Sequence, residues 1–274
     1  MSNSSILDGV DDYINQKLGL QLNNLQYKHK KSCQLLSKQP PSHLDGKAFV
    51  DGIYERIGAN WSGQPSRSFE NWRDEPQDRP SSDGSKLEVT LERRIVGCQW
   101  PDSVRWFNQV PVASGLVNSV RDKKRAIDLV HLSKMNNGQY EFIELKVAQK
   151  SGGTPLLAAM EILQYGALYI FSRKNASKLG YDIDKKVLLK ARDIKLVVLA
   201  PATYYKGYWL GWLKDKINEG IKHVLEKENV QIKMEFAFQE FPATFDPRSL
   251  PDDLAIMRAL NARTPVMESN SRSA

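Results

Sequence analysis

Two apolar runs, residues 126–132 and 140–148, stand on either side of a segment, 133–138, that contains Asn136-Asn137-Gly138. Short runs rich in β-branched and aromatic residues read as strands, and an Asn-Gly pair supplies the positive-φ positions of a tight hairpin turn. An apolar stretch at 155–171 follows, too long for a strand and therefore a buried helix, and then a further apolar run at 194–200. A hairpin, a buried helix and a buried strand in succession predict a mixed sheet with both faces covered. Periodicity adds a helix over 86–97, a strand over 106–113, an amphipathic helix over 209–227 and a last strand over 231–239. The predicted class is α/β, a mixed sheet flanked by helices over 86–240, in the order α-β-β-β-α-β-α-β.

The remainder reads differently. Residues 1–59 form short amphipathic pieces, with Ile6, Val10, Tyr13 and Ile14 at helical spacing and a breaker at Pro40-Pro41-Ser42. They predict an N-terminal helical appendage, the segment open to a partner protein or a second copy. Residues 60–85 turn to Gly, Pro, Ser, Asp and Arg, a linker or loop laid over the main domain in which Trp61 and Trp72 act as anchors. Residues 241–274 predict a short helix and a disordered tail beyond Thr264.

Composition narrows the function classes. Hydrophobic residues at 41% and charged residues at 26% exclude disordered, collagen-like and coiled-coil chains. Lys and Arg number 39 against 32 Asp and Glu, and the resulting net charge of +7 favours an acidic partner such as nucleic acid. Cys33 and Cys98 stand too far apart, with no CxxC and no His pair, to build a zinc finger or a disulfide framework, which points to a reducing cytoplasm. The first residues lack the pattern of a signal peptide, and apolar runs such as 196–202 are far shorter than the ~20 residues that span a bilayer, so no membrane role is expected.

The carboxylates fall in informative places. With Leu87 at zero on a helical wheel, Glu88 lies at roughly 100° and Glu92 at roughly 140°, inside the apolar arc. In the 140–148 strand, Glu144 and Lys146 share a face with Phe142, while Ile143, Leu145 and Val147 share the other. Asp128 interrupts the apolar 126–132 strand, and the hairpin lays it beside Glu144. Two acids in one pocket repel unless a cation neutralises them, and an all-oxygen site suits Mg²⁺ or Mn²⁺. An adjacent lysine can stabilise charge developing on a phosphoryl group or orient a water for in-line attack. Gln164 falls at roughly 180° on the wheel of the 155–171 helix, within its apolar arc. Its amide is placed either for Lys146, a water or a phosphate, or for a neighbouring backbone. Structural salt bridges are the plainer account of each of these charges.

Taken together, Glu88, Asp128, Glu144-Leu145-Lys146 and Gln164 in this strand and helix context resemble the PD-(D/E)XK nuclease superfamily, over about residues 86–200. The resemblance implies a restriction-endonuclease-like core that binds Mg²⁺ and cuts nucleic-acid phosphodiesters. It makes Asp128 and Glu144 metal ligands, Lys146 the catalytic lysine and Glu88 an accessory metal-binding carboxylate, with Glu92 its substitute. Ile127 stands where the name motif has Pro. Leu168 stands where the RecB-like branch has a Tyr after the Gln, between Tyr165 and Tyr169, so the branch is left open.

The basic run at 121–125, with Lys123, Lys124 and Arg125, lies just ahead of Asp128 and is placed either to contact phosphates or to remain a solvated turn. Residues 204–212 interleave Tyr204, Tyr205, Tyr208, Trp209 and Trp212 with Lys206, which suits base stacking and helix packing alike. The four histidines are scattered and take no role, and 151–154 lacks a phosphate-cradling lysine pattern. The expected function is therefore a Mg²⁺-dependent endonuclease acting on DNA. The alternative is a catalytically idle module of the same fold that binds nucleic acid or protein.

Overall fold

A computed structural model describes residues 5–76, 87–117, 120–133, 139–147, 153–249 and 251–266. Eight helices are among them: α1 Val10–Lys17, α2 Lys30–Lys38, α3 Gly46–Asn60, α4 Leu87–Gly97, α5 Pro155–Lys174, α6 Ala202–Tyr205, α7 Gly211–Lys227 and α8 Asp253–Asn261. The strands are β1 Val104–Pro111, β2 Ala126–Ser133, β3 Gln139–Leu145, β4 Asp193–Pro201, β5 Lys233–Phe241 and the two-residue β6 Thr264–Pro265. They form one six-stranded sheet in chain order. Pairing is antiparallel from β1 to β3, parallel from β3 to β5 and antiparallel again at β6. Each parallel step needs a crossover, and α5 and α7 supply the two.

Helices cover both faces. Phe142, Leu196, Val198 and Phe236 point to the side of α3, α5 and α7, while Ile143, Leu145, Val197 and Leu199 point to the side of α4 and α8. Helix α5 is the central element. Thr154 caps it by accepting from Leu157 N at 3.3 Å, Pro155 occupies its first turn, and its side chains are buried nearly all round. It is the one described helix long and apolar enough to cross a bilayer, and 89% of the qualifying stretch is buried within the fold.

The N-terminal helices are part of this body and not a separate appendage. Ile6, Val10, Ile14, Phe49, Ile53 and Ile57 share one continuous hydrophobic cluster with the sheet. The close crossing of α3 on α7 makes this possible: a Cβ on Gly220 would lie 2.3 Å from the carbonyl oxygen of Gly46. Burial there depends on two small residues 174 positions apart, a pairing that local periodicity cannot show.

The 60–76 part of the expected linker is anchored by its indoles. Trp61 meets the edge of Phe171 at 5.5 Å, and the fully buried Trp72 packs against Phe142 and Tyr169 at 6.2 and 5.3 Å. Buried Asn71 completes the attachment, its Nδ2 donating to Ser114 O and Tyr181 Oη at 2.7 Å each. Residues 77–86, the turn at 134–138 and the tail from 267 lie outside the described residues. Short of that tail, Thr264 and Pro265 pair with Glu240 and Gln239 as β6.

Candidate active site

Strand β3 delivers Glu144 at its C-terminal end, with Lys146 just beyond it. Antiparallel pairing of β2 with β3 runs from Ser133↔Gln139 to Leu129↔Ile143. The next step in that register sets Asp128 opposite Glu144. Asp128 Oδ2 accepts the amide of Leu145 at 2.9 Å, which holds the carboxylate at the strand end. Alternation breaks at Asp128, since Ile127 packs with the α5 side and Leu129 with the α4 side. In β1, Gln109 would lie opposite Asp128 in the same register, and its backbone is left-handed, with φ 50°. The irregular step therefore falls where the acid sits.

Lys146 Nζ lies 2.5 Å from Glu144 Oε1 and 3.9 Å from Asp128 Oδ2. Helix α4 approaches from one face of the sheet. Its Glu88 accepts from Val147 N at 3.4 Å, and its buried Glu92 accepts from Gln109 Nε2 at 2.8 Å. Helix α5 approaches from the other face with Glu161, whose charge acts on Glu144 and Lys146.

Burial pushes Asp128, Glu144, Glu92 and Glu161 above the usual carboxylate range. Neighbouring acids add to this: Glu144 for Asp128, Glu161 for Glu144, and Asp128 for Glu92 and Glu161. Burial would drive Lys146 toward its neutral form, but Glu144 and Asp128 outweigh it and hold the ammonium well above its ordinary range. The group thus sets five carboxyls, Glu88, Glu92, Asp128, Glu144 and Glu161, around one buried ammonium, with Arg125 near Glu161 on its margin. A cleft of about 480 Å³ lies at the C-terminal ends of β3, β4 and β5, lined by Val147, Pro201 and Pro242 but by none of the five acids. Ligand sites in open α/β sheets favour this carboxyl edge of the parallel strands.

No family model, curated protein or solved structure matches this chain. The site must be read from its own chemistry. Among the described residues no three His, Cys, Asp or Glu side chains form a ready-made metal cage. The donors are nevertheless all carboxyl oxygens, which once ionised would carry more negative charge than Lys146 can offset, and that fits a hard divalent cation such as Mg²⁺ or Mn²⁺.

The structure brings Asp128, Glu144, Lys146, Glu88 and Glu92 together. Gln164 is directed elsewhere: its Nε2 donates to Tyr27 Oη at 3.4 Å, and Tyr27 Oη donates to Asp11 Oδ1 at 2.5 Å. It ties α5 to the N-terminal helices, because the apolar arc of α5 is covered there by that layer as well as by the sheet. Glu161 takes the place near Lys146 that Gln164 was expected to fill. On the α5 wheel Glu161 sits at roughly 240°, just beyond the apolar arc, and its spacing of three from Gln164 is the signal that could have found it.

The basic run forms the 3₁₀ turn Asp122–Lys124. Lys123 and Lys124 are exposed, while Asp122 is buried and accepts from Ser5 Oγ and Ile6 N at 2.6 and 3.0 Å. Of the histidines, His131 joins a second polar group away from the acids, in which its Nδ1 and Arg263 Nη2 each lie 2.7 Å from Glu141 Oε2.

Proposed function

We propose that this chain is a divalent-cation-dependent nuclease that hydrolyses phosphodiester bonds of DNA internally, and that its sheet is a restriction-endonuclease-like core of the PD-(D/E)XK kind. The observation that carries the reading is the buried ammonium of Lys146 between Glu144 and Asp128 within an excess of carboxyls. Without a cation these acids relieve their crowding by holding protons, and a divalent cation in their midst would let them ionise. The mixed sheet with helices on both faces and the net charge of +7 support the same reading.

In this reading Asp128, Glu144 and Glu88 hold Mg²⁺ or Mn²⁺, which supplies Lewis-acid polarisation of a phosphoryl oxygen and a more acidic bound water. Lys146 places positive charge where the phosphoryl group becomes more negative. The amide of Leu145 fixes the orientation of Asp128 by bonding Oδ2, the oxygen that also faces Lys146. Glu92, held by Gln109, and Glu161 are both raised by burial and hold protons beside the reacting groups. The 2.5 Å pair of Lys146 with Glu144 favours one second reading, an idle module of this fold in which lysine has replaced the cation.

The deciding experiment incubates the purified chain with plasmid, linear duplex and single-stranded DNA, with and without Mg²⁺, beside Asp128→Ala. Metal-dependent nicking that the variant lacks is the expected result. No cleavage by the wild type under any cation, with DNA binding retained, selects the idle module.

A further inference from the structure

The aromatic segment 204–212 builds a second cleft that the acid site does not use. It has a volume of about 280 Å³ and lies at the β5 edge of the sheet, against Phe236 and Phe238 and the start of α7. Tyr208 and Trp209 line it, and Trp209 is 41% exposed although most large aromatic side chains of this fold are buried. An indole left accessible at the mouth of a concave site is a stacking surface.

The rim carries positive charge. Lys214 lines the cleft from the first turn of α7, and Lys195 lines it from β4, where it lies 4.0 Å from Glu235. The entry to α7 adds to this, since Leu210 and Gly211 border the cleft and the helix has no side-chain cap. The backbone N–H groups there carry the positive end of the helix dipole. Glu235 also lines the cleft and offsets Lys195, so Lys214 and the positive helix end beside the flat π-face are what fit a planar base bearing a phosphate.

The place of the cleft ties it to the acids. Helix α6 borders both clefts: Ala202 and Thr203 line the one at the strand ends, and Tyr205 lines the aromatic one. Pro155, the first residue of the helix that carries Glu161, lines it too. The β5 edge is closed at this point, because Asn218 donates to Phe236 O at 3.1 Å and accepts from Phe236 N at 2.6 Å. Main-chain pairing with an added strand is thereby blocked at Phe236, which leaves the aromatic and charged wall as the recognition surface.

We propose that this cleft binds one nucleotide of a single-stranded nucleic acid, its base stacked on Trp209 and its phosphate held by Lys214 and the α7 N-terminus. The proposal takes the identity of the strand from the nuclease reading above, and makes an unpaired stretch beside the cut part of the substrate.

The test measures binding of fluorescein-labelled oligothymidylate by anisotropy without divalent cation, so that cleavage plays no part. Trp209→Ala is expected to weaken binding roughly 5- to 100-fold, the range for one stacked base, and Trp209→Phe to retain most of it. Lys214→Gln should reduce the salt dependence of log K by about 0.7, one single-strand phosphate. Circular dichroism and thermal melting confirm that each variant is folded. Wild-type affinity in Trp209→Ala overturns the proposal. So does binding of thymidine monophosphate at Trp209 without binding of the oligonucleotide, which would mark a free-nucleotide site. Loss of cleavage in Asp128→Ala, read on plasmid with Mg²⁺, and loss of oligonucleotide binding in Trp209→Ala, read without divalent cation, report on the two readings separately.

Discussion

Asp128 Oδ2 accepts the backbone amide of Leu145, the residue that separates Glu144 from Lys146, at 2.9 Å. One hydrogen bond thus joins the two strands at the point where three ionisable side chains meet, and it needs an acceptor but no charge. Asp128→Asn keeps an acceptor for that amide and removes a charge that Glu144 repels. Cleavage should fall by about 10²-fold or more, since an electrostatic contact to the reacting group is lost. Without divalent cation the same variant should gain about 1 kcal/mol, or roughly 2–4 °C in Tm. Lys146→Met should lose cleavage too but move the other way in stability, by about 3 kcal/mol, because it strips the buried carboxyls of their ammonium. Thermal melts in EDTA read the opposite signs, and a matched sign would refute the account.

The pH dependence follows from the raised acids. A carboxyl whose folded pKa lies above its unfolded value contributes stability fully at pH below the unfolded value, and loses it as pH rises through the folded one. Asp128 and Glu144 are raised to about 8, so the window runs from the ordinary carboxylate range near pH 4 up to about pH 8. The metal-free protein should become less stable across it. Mg²⁺ binds the ionised form, so its stabilising effect should grow with pH over the same window. Calorimetry at pH 6 and pH 8.5, with and without Mg²⁺, tests this; an equal Mg²⁺ increment at both would sink it.

Glu88 and Glu92 should separate by function. Glu92 is buried, bonded to Gln109 and pushed up to about 9, so it is protonated at neutral pH and Glu92→Gln mimics its resting form. Unfolded Glu92 is ionised at pH 7 and must take up a proton to fold, so that variant should be more stable than wild type at pH 7 and show a flatter loss of stability toward pH 9. Glu88 is half-buried beside Val147 N and is the better placed to ligate a cation. Glu88→Gln should raise the Mg²⁺ concentration needed for half-maximal cleavage by about tenfold, with little effect at saturating Mg²⁺. A larger catalytic loss in Glu92→Gln than in Glu88→Gln would assign the cation to the deeper glutamate.

How far the site could be read from sequence depended on the range of the signal. Asp128 and Glu144 lie on neighbouring strands with Lys146 just beyond, where pairing fixes the register although the alternation of faces breaks at Asp128. Glu161 escaped because roughly 240° on the α5 wheel marks the border of the apolar arc, where a buried acid and a solvated one give the same pattern. Gln164 was recognisable as buried, but a wheel does not say which layer covers a face. The packing of residues 6–57 rests on the Gly46–Gly220 approach, a tertiary contact with no local trace.

The new place of Gln164 makes a prediction of its own. A residue that bridges α5 to Tyr27 should matter for stability and not for turnover. Gln164→Leu removes one buried hydrogen bond and should cost about 1–2 kcal/mol while leaving kcat unchanged once the protein is folded. Cleavage that fails at a temperature well below the variant's Tm would return Gln164 to the active site.

The exposed basic turn bears on how DNA reaches the acids. Lys123 and Lys124 face solvent, whereas Arg125 is half-buried and its charge acts on Glu161 and Asp122. Reversal at Arg125 would disturb the acid cluster itself, so the informative variant is Lys123→Glu with Lys124→Glu. For a duplex, log K falls by ~0.9 per decade of salt for each phosphate contacted. If both lysines touch the backbone, the double variant should lower the slope by about 1.8 and weaken all sequences alike, since phosphate contacts position the duplex without reading it. Binding measured in Ca²⁺, in place of Mg²⁺, keeps affinity separate from cutting. An unchanged slope would make the run a solvated turn and move the duplex path to another face of the protein.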